Sequence, residues 1–120
     1  MREQVFQNRL LVALSKIEGV RVWRQNAGKV VARRGAVKGA PKGAADITGI
    51  IAPEGWRIEI EVKASVTGIT RQQIKWLETM RERGAVVLVA RYREELSAEE
   101  NIAAVCESLT ESIVTRRKRG

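Results

Sequence analysis

A chain of 120 residues and 13.4 kDa has room for one compact domain with its own core, and too little for two. Hydrophobic residues make up 44% of it, which excludes a disordered tail; no apolar run approaches the roughly 18–20 residues that span a bilayer. The net charge of +8 is carried without a single histidine, so imidazole-based mechanisms and histidine-ligated zinc are excluded, and any chemistry must run on carboxylates and lysine.

The first predicted element is a helix over residues 2–18, where Phe6, Leu10, Ala13, Leu14 and Ile17 recur at helical spacing and Gly19 stops it. Its polar start (Glu3, Gln4, Gln7, Asn8) is unlike a secretory signal. Together with a lone cysteine, Cys106, it predicts a reduced, cytoplasmic protein (host cytoplasm if phage-encoded). A short strand follows over 20–24. Residues 25–43, with four glycines, Pro41 and many bases, read as a loop or loose hairpin. Residues 45–52 form the second strand, Pro53-Glu54-Gly55 a turn, and residues 56–64 the third strand. In that strand Ile58, Ile60 and Val62 face one way and Glu59, Glu61 and Lys63 the other. Thr70 opens a helix to about residue 83, with Ile74, Leu77 and Met80 as its buried stripe. Residues 85–91 are a continuous apolar run, expected as a buried parallel strand. Ser97 and Glu100 box the start of a last helix whose apolar face is Ile102, Val105, Cys106 and Leu109. The order α-β-β-β-α-β-α predicts an α/β fold, with a mixed central sheet of about four strands flanked by helices. Residues 1–110 are expected to form the domain, and 111–120 a basic, flexible tail ending in Arg116, Arg117, Lys118 and Arg119.

The charge is uneven. Residues 1–53 carry ten bases and three acids, a net of +7, against +1 for residues 54–120. Between Glu18 and Asp46 there is no acid, yet Arg21, Arg24, Lys29, Arg33, Arg34, Lys38 and Lys42 all occur. A one-signed segment of this kind attracts polyanions, and a phosphate backbone is the usual partner. Arg24, Asn26, Lys29, Arg33, Arg34, Lys38 and Lys42 are therefore the candidate nucleic-acid contacts.

The third strand sets Glu61 and Lys63 on one side, two residues apart. Pairing about the 53–55 turn brings Asp46 roughly opposite Glu61 or Lys63. Charges gathered there are costly to bury without compensation, and Mg²⁺ or Mn²⁺ bound by the carboxylates would supply it. The set suits phosphodiester hydrolysis. A metal neutralises phosphate and acidifies a water, while Lys63 orients or helps deprotonate that water and stabilises charge on the pentacoordinate phosphorus.

Asp46 followed by Glu61-Val62-Lys63 resembles the D…ExK signature of the PD-(D/E)XK nuclease superfamily. Glu3 and Gln7 in the opening helix, the segments Arg24-Gln25-Asn26-Ala27-Gly28, Lys42-Gly43-Ala44-Ala45-Asp46-Ile47 and Gly68-Ile69-Thr70-Arg71-Gln72-Gln73, then Trp76-Leu77 and Gly84, are similar in order and spacing to the VRR-NUC (virus-type replication-repair nuclease) domain in its stand-alone phage and bacterial form. The resemblance covers about residues 2–91, with Ala45 where the family usually has proline. It implies a restriction-endonuclease-like core in which Asp46, Glu61 and the Val62 carbonyl ligate Mg²⁺ or Mn²⁺. Glu3 would join through water, Lys63 would be the catalytic lysine, and Gln73 would reach the site from its helix. It also implies a homodimeric resolvase of branched DNA, without a small-molecule cofactor or membrane partner.

Other readings stand beside these. The chain could be a non-catalytic nucleic-acid-binding module, or a sequence-specific restriction-type enzyme. Glu61 and Lys63 could form a solvated salt-bridge face. Glu59 reads as a structural acid paired with an arginine. Gln73 could close a capping box with Thr70. The three tryptophans read as core, and Cys106 as packing.

Overall fold

The computed structural model describes residues 3–25, 29–32, 35–38, 40–64 and 68–120, with backbone alone for 29–32 and 35–38. The elements are α1 (Glu3–Leu14), β1 (Val20–Arg24), β2 (Lys29–Ala32), β3 (Gly35–Lys38), β4 (Ile47–Ile51), β5 (Trp56–Lys63), α2 (Arg71–Glu82), β6 (Val86–Arg91) and α3 (Ala98–Arg119). Four strands form a mixed sheet in the order β1-β4-β5-β6; β1, β4 and β5 are antiparallel neighbours, and β6 lies parallel to β5 after the α2 crossover. The basic segment holds a separate two-stranded hairpin, β2–β3, one of its two expected forms.

One face of the sheet is apolar because alternate positions are apolar on every strand. Val20 and Val22, Ile47 and Ile51, Ile58, Ile60 and Val62, and Val86 and Ala90 form a single cluster. Phe6, Leu10 and Leu14 of α1 and Val105, Leu109 and Ile113 of α3 complete it. The opposite face holds the other alternate set, with Trp23 level with Thr48 and Thr48 level with Glu59. Trp76 of α2 reaches Glu59 on that face.

Three expectations change. The 111–120 segment is no flexible tail: α3 continues through it to Arg119. Ile113 is buried in the core, Arg116 donates to the Gly84 and Ala85 carbonyls, and Arg117 pairs with Glu54. Acids in its first turn and bases in its last also complement the helix dipole. On α2, Leu77 is buried but Ile74 is exposed. The face turned to the sheet is Gln73, Trp76, Leu77 and Met80, because the Trp76 indole donates to an acid on the sheet. On β6, Val89 is exposed, because this strand ends the sheet and is not enclosed on both sides.

Gly43 sets how closely the loop before β4 approaches α2. Its φ is +86°, and a Cβ there would lie 2.8 Å from the Gln72 carbonyl oxygen and 2.9 Å from the Gln72 carbonyl carbon. Gly43→Ala is expected to cost about 1–3 kcal/mol from backbone strain alone. The check is a lower urea midpoint at unchanged slope.

Candidate active site

Strand pairing assembles the site. Ile47 of β4 is level with Ile60 of β5, so the next residues outward, Asp46 and Glu61, stand opposite each other. The Val62 N–H donates to Asp46 Oδ2 at 2.8 Å. A strand residue's N–H and C=O leave on the same side, so the Val62 carbonyl opens towards Asp46. Two residues along the same face, Lys63 Nζ lies 3.4 Å from Glu61 Oε2. Glu61 and Lys63 are 2% and 5% exposed, which removes a solvated salt-bridge face from consideration.

Burial pushes the Glu61 carboxyl up to about 7, and the Asp46 charge beside it adds to the rise; Lys63 opposes it. Glu61 Oε1 is buried with no hydrogen-bond partner among the described residues. A buried carboxylate oxygen without a hydrogen-bond partner, beside a second acid, is a donor set that fits a hard cation. Asp46, Glu61 and the Val62 carbonyl therefore suit Mg²⁺ or Mn²⁺ by donor type. Among the described residues no third acid, cysteine or histidine completes a metal-holding cluster with them. Glu3 begins α1 and is not brought into such a group.

Gln73 serves the helix start. Its Oε1 accepts from the Thr70 N–H at 2.9 Å and its own N–H donates to Thr70 Oγ1 at 3.1 Å, which completes the capping box. Its side-chain oxygen is thereby engaged in the cap, the structural role considered for it, while the helix face that bears it is turned to the sheet.

Of the basic candidates, Arg24 is exposed and donates to Asn8 Oδ1 on α1, and Lys42 is exposed in the turn before β4. Lys29 and Lys38 are a register pair of the hairpin. Asn26, Arg33 and Arg34 lie outside the described residues. Cys106 is partly buried at the edge of the core, and burial raises its thiol pKa, as suits packing.

A second buried acid supports the first set. Glu59 is fully buried. Its Oε1 accepts from Trp76 Nε1 at 2.6 Å and Gln25 Nε2 at 3.5 Å; its Oε2 accepts from Arg57 Nε at 3.2 Å and from the Thr48 hydroxyl. Gln25 also donates from Nε2 to the Ala45 carbonyl at 3.1 Å and from its backbone N–H to the Asp46 carbonyl at 2.8 Å. The network thus joins β1, β4, β5 and α2 around the residue that carries the Asp46 carboxylate. Alternation placed Glu59 beside an arginine, but Gln25 and Trp76 left no local signal.

The raised Glu61 pKa has a sign in stability. A carboxyl whose folded pKa exceeds its unfolded value contributes stability that is full below the unfolded pKa and is lost as pH rises through about 7. In EDTA, the melting temperature of the wild type relative to Glu61→Gln is expected to fall from about pH 5 to about pH 8, and saturating Mn²⁺ to offset the fall. A difference independent of pH would contradict the raised pKa.

Among the described residues no helix is long and apolar enough to cross a membrane. In comparisons with known proteins, the chain matches no family model and no curated sequence.

Proposed function

We propose that this chain is a metal-dependent nuclease that hydrolyses DNA phosphodiester bonds, a structure-specific endonuclease on branched DNA of the Holliday-junction-resolvase kind, serving replication, repair or recombination. The observation that carries the reading is the trio of half-buried Asp46 with buried Glu61 and Lys63, in which one Glu61 oxygen has no partner among the described residues. Its resemblance to the VRR-NUC pattern, the four-stranded mixed sheet and the basic first half of the chain support it. Preference for branches and action as a homodimer rest on the resemblance; a two-fold dimer would present one site to each of two strands.

Asp46 and Glu61, with the Val62 carbonyl, would hold Mg²⁺ or Mn²⁺. When bound, the ion supplies positive charge for the phosphate and lowers the pKa of a water. Glu61 gives up its proton to serve as a ligand, so ion affinity rises with pH through about 7. Lys63, held against Glu61, offers N–H donors to the negative charge that builds on the phosphate oxygens and orients the attacking water. The Val62 N–H keeps the Asp46 carboxylate turned towards β5.

The test is incubation of labelled four-way junction, flap and linear duplex with Mg²⁺ or Mn²⁺. Cutting of the branched substrates is expected. Binding without cleavage in either metal would favour a non-catalytic nucleic-acid-binding module, and cleavage at one duplex sequence alone would favour a restriction-type enzyme.

A further inference from the structure

The sheet face that bears the site is unevenly covered. Over β5, Glu59, Glu61 and Lys63 are buried. Over β1 and β4 the same face is open: Trp23 is 48% exposed and Ile50 45%. Register puts Arg21 level with Ile50, Ile50 level with Arg57, and Trp23 level with Thr48. The open area is therefore one indole and one isoleucine edged by two arginines. The other tryptophans are engaged, Trp56 under the Arg116 guanidinium at 4.9 Å and Trp76 on Glu59.

Trp23 is also close to the acids along the strands. It lies two residues from Gln25, whose N–H donates to the Asp46 carbonyl. Two residues of strand span about 6.6 Å, and neighbouring strands lie about 4.8 Å apart. Trp23 and Ile50 are diagonal neighbours across the β1–β4 pair, so the ring offers, beside Arg21, an open face that an aromatic ligand covers. A nucleobase does so with its π-face, while the Arg21 guanidinium meets a neighbouring phosphate; Arg57 is held by Thr48 and Glu59.

We infer that Trp23, with Arg21 beside it, is a stacking subsite for an unpaired base next to the phosphate that an ion at Asp46 and Glu61 would meet. This deepens the proposed function and rests on its reading of the two acids as the ion-holding end. The subsite takes a single-stranded nucleotide and not one inside a duplex, because there both faces of a base are stacked on its neighbours. It thereby prefers DNA that is open at a branch or flap over continuous duplex.

The experiment measures binding in EDTA, so that cleavage is absent, with a labelled oligothymidylate and a blunt duplex. Trp23→Ala is expected to weaken oligothymidylate binding by roughly tenfold, Trp23→Phe to retain most of it, and duplex binding to change little. Oligothymidylate carrying 5-iodouracil should photocrosslink to the wild-type peptide that contains Trp23, a measurement independent of whether the alanine variant folds. Unchanged oligothymidylate affinity in a folded Trp23→Ala, an equal loss on duplex, or crosslinks confined to other peptides would overturn the subsite. So would conversion of a wild-type dimer to monomers by Trp23→Ala in sedimentation, since a second copy would then cover the ring. If Trp23-dependent binding persists but no DNA is cut with Mg²⁺ or Mn²⁺, the nuclease reading fails and the subsite stands. If cutting proceeds and Trp23 is without effect on binding, the reverse holds.

Discussion

Lys63→Ala is expected to lower single-turnover cleavage in Mg²⁺ or Mn²⁺ by roughly 10²–10⁴-fold, while DNA affinity measured in EDTA stays near that of the wild type. The ammonium group is 5% exposed and sits 3.4 Å from Glu61. On the proposed reading, its loss removes charge beside the two acids and little of the exposed basic surface. Asp46→Asn should do the same by another route. The amide keeps an oxygen for the Val62 N–H, so the loop holds its shape, but the negative charge that draws in the ion is gone. Calorimetry of Mn²⁺ binding separates the two variants: Asp46→Asn should lose affinity for the ion, and Lys63→Ala should keep it. Wild-type cutting rates in both would remove these residues from the reaction.

The second large effect concerns stability. Glu59→Ala is expected to cost about 3–5 kcal/mol, because several hydrogen bonds to a charged group, each worth about 1.5–3 kcal/mol, are lost together with buried side-chain volume. That is a large part of the roughly 5–15 kcal/mol that holds a domain of this size. Four donors converge on this fully buried carboxylate. Arg57 is half-exposed and can turn to water, and the Thr48 hydroxyl keeps the Ile58 carbonyl as acceptor, but the Trp76 indole N–H would lose its acceptor in the interior. Trp76→Phe deletes a single donor and should cost less, about 1–2 kcal/mol. Urea unfolding read by circular dichroism checks both, and a Glu59→Ala loss below about 1 kcal/mol would show that the acid is not a hub.

Much of this was readable from residue order. The period-two alternation of Glu59, Glu61 and Lys63 against Ile58, Ile60 and Val62 gave the strand and its two faces, because side chains on a strand alternate by geometry. The turn at 53–55 set the β4–β5 register, and that register brought Asp46 to Glu61. Capping boxes at Thr70 and Ser97 were local signals and appear as such. The same box engages Gln73, for which a catalytic part had been considered. The apolar run at 85–91 marked a parallel strand, but not its position at the end of the sheet, since chain order does not state strand order.

Local chemistry, then, was enough to establish which side chains share a strand face and which acids meet. Whether those groups lie in water or beneath other residues depended on elements far apart in the chain. Trp76 comes down on Glu59 from α2, and Gln25 reaches it from the end of β1. Ile113 draws the basic end of α3 into the core, where Arg117 meets Glu54 across 63 positions. Burial is a property of neighbours, and neighbours distant in sequence leave no periodic trace. That is why the alternation of charges on β5 could be seen at once, and the desolvation that raises Glu61 and strands its Oε1 could not.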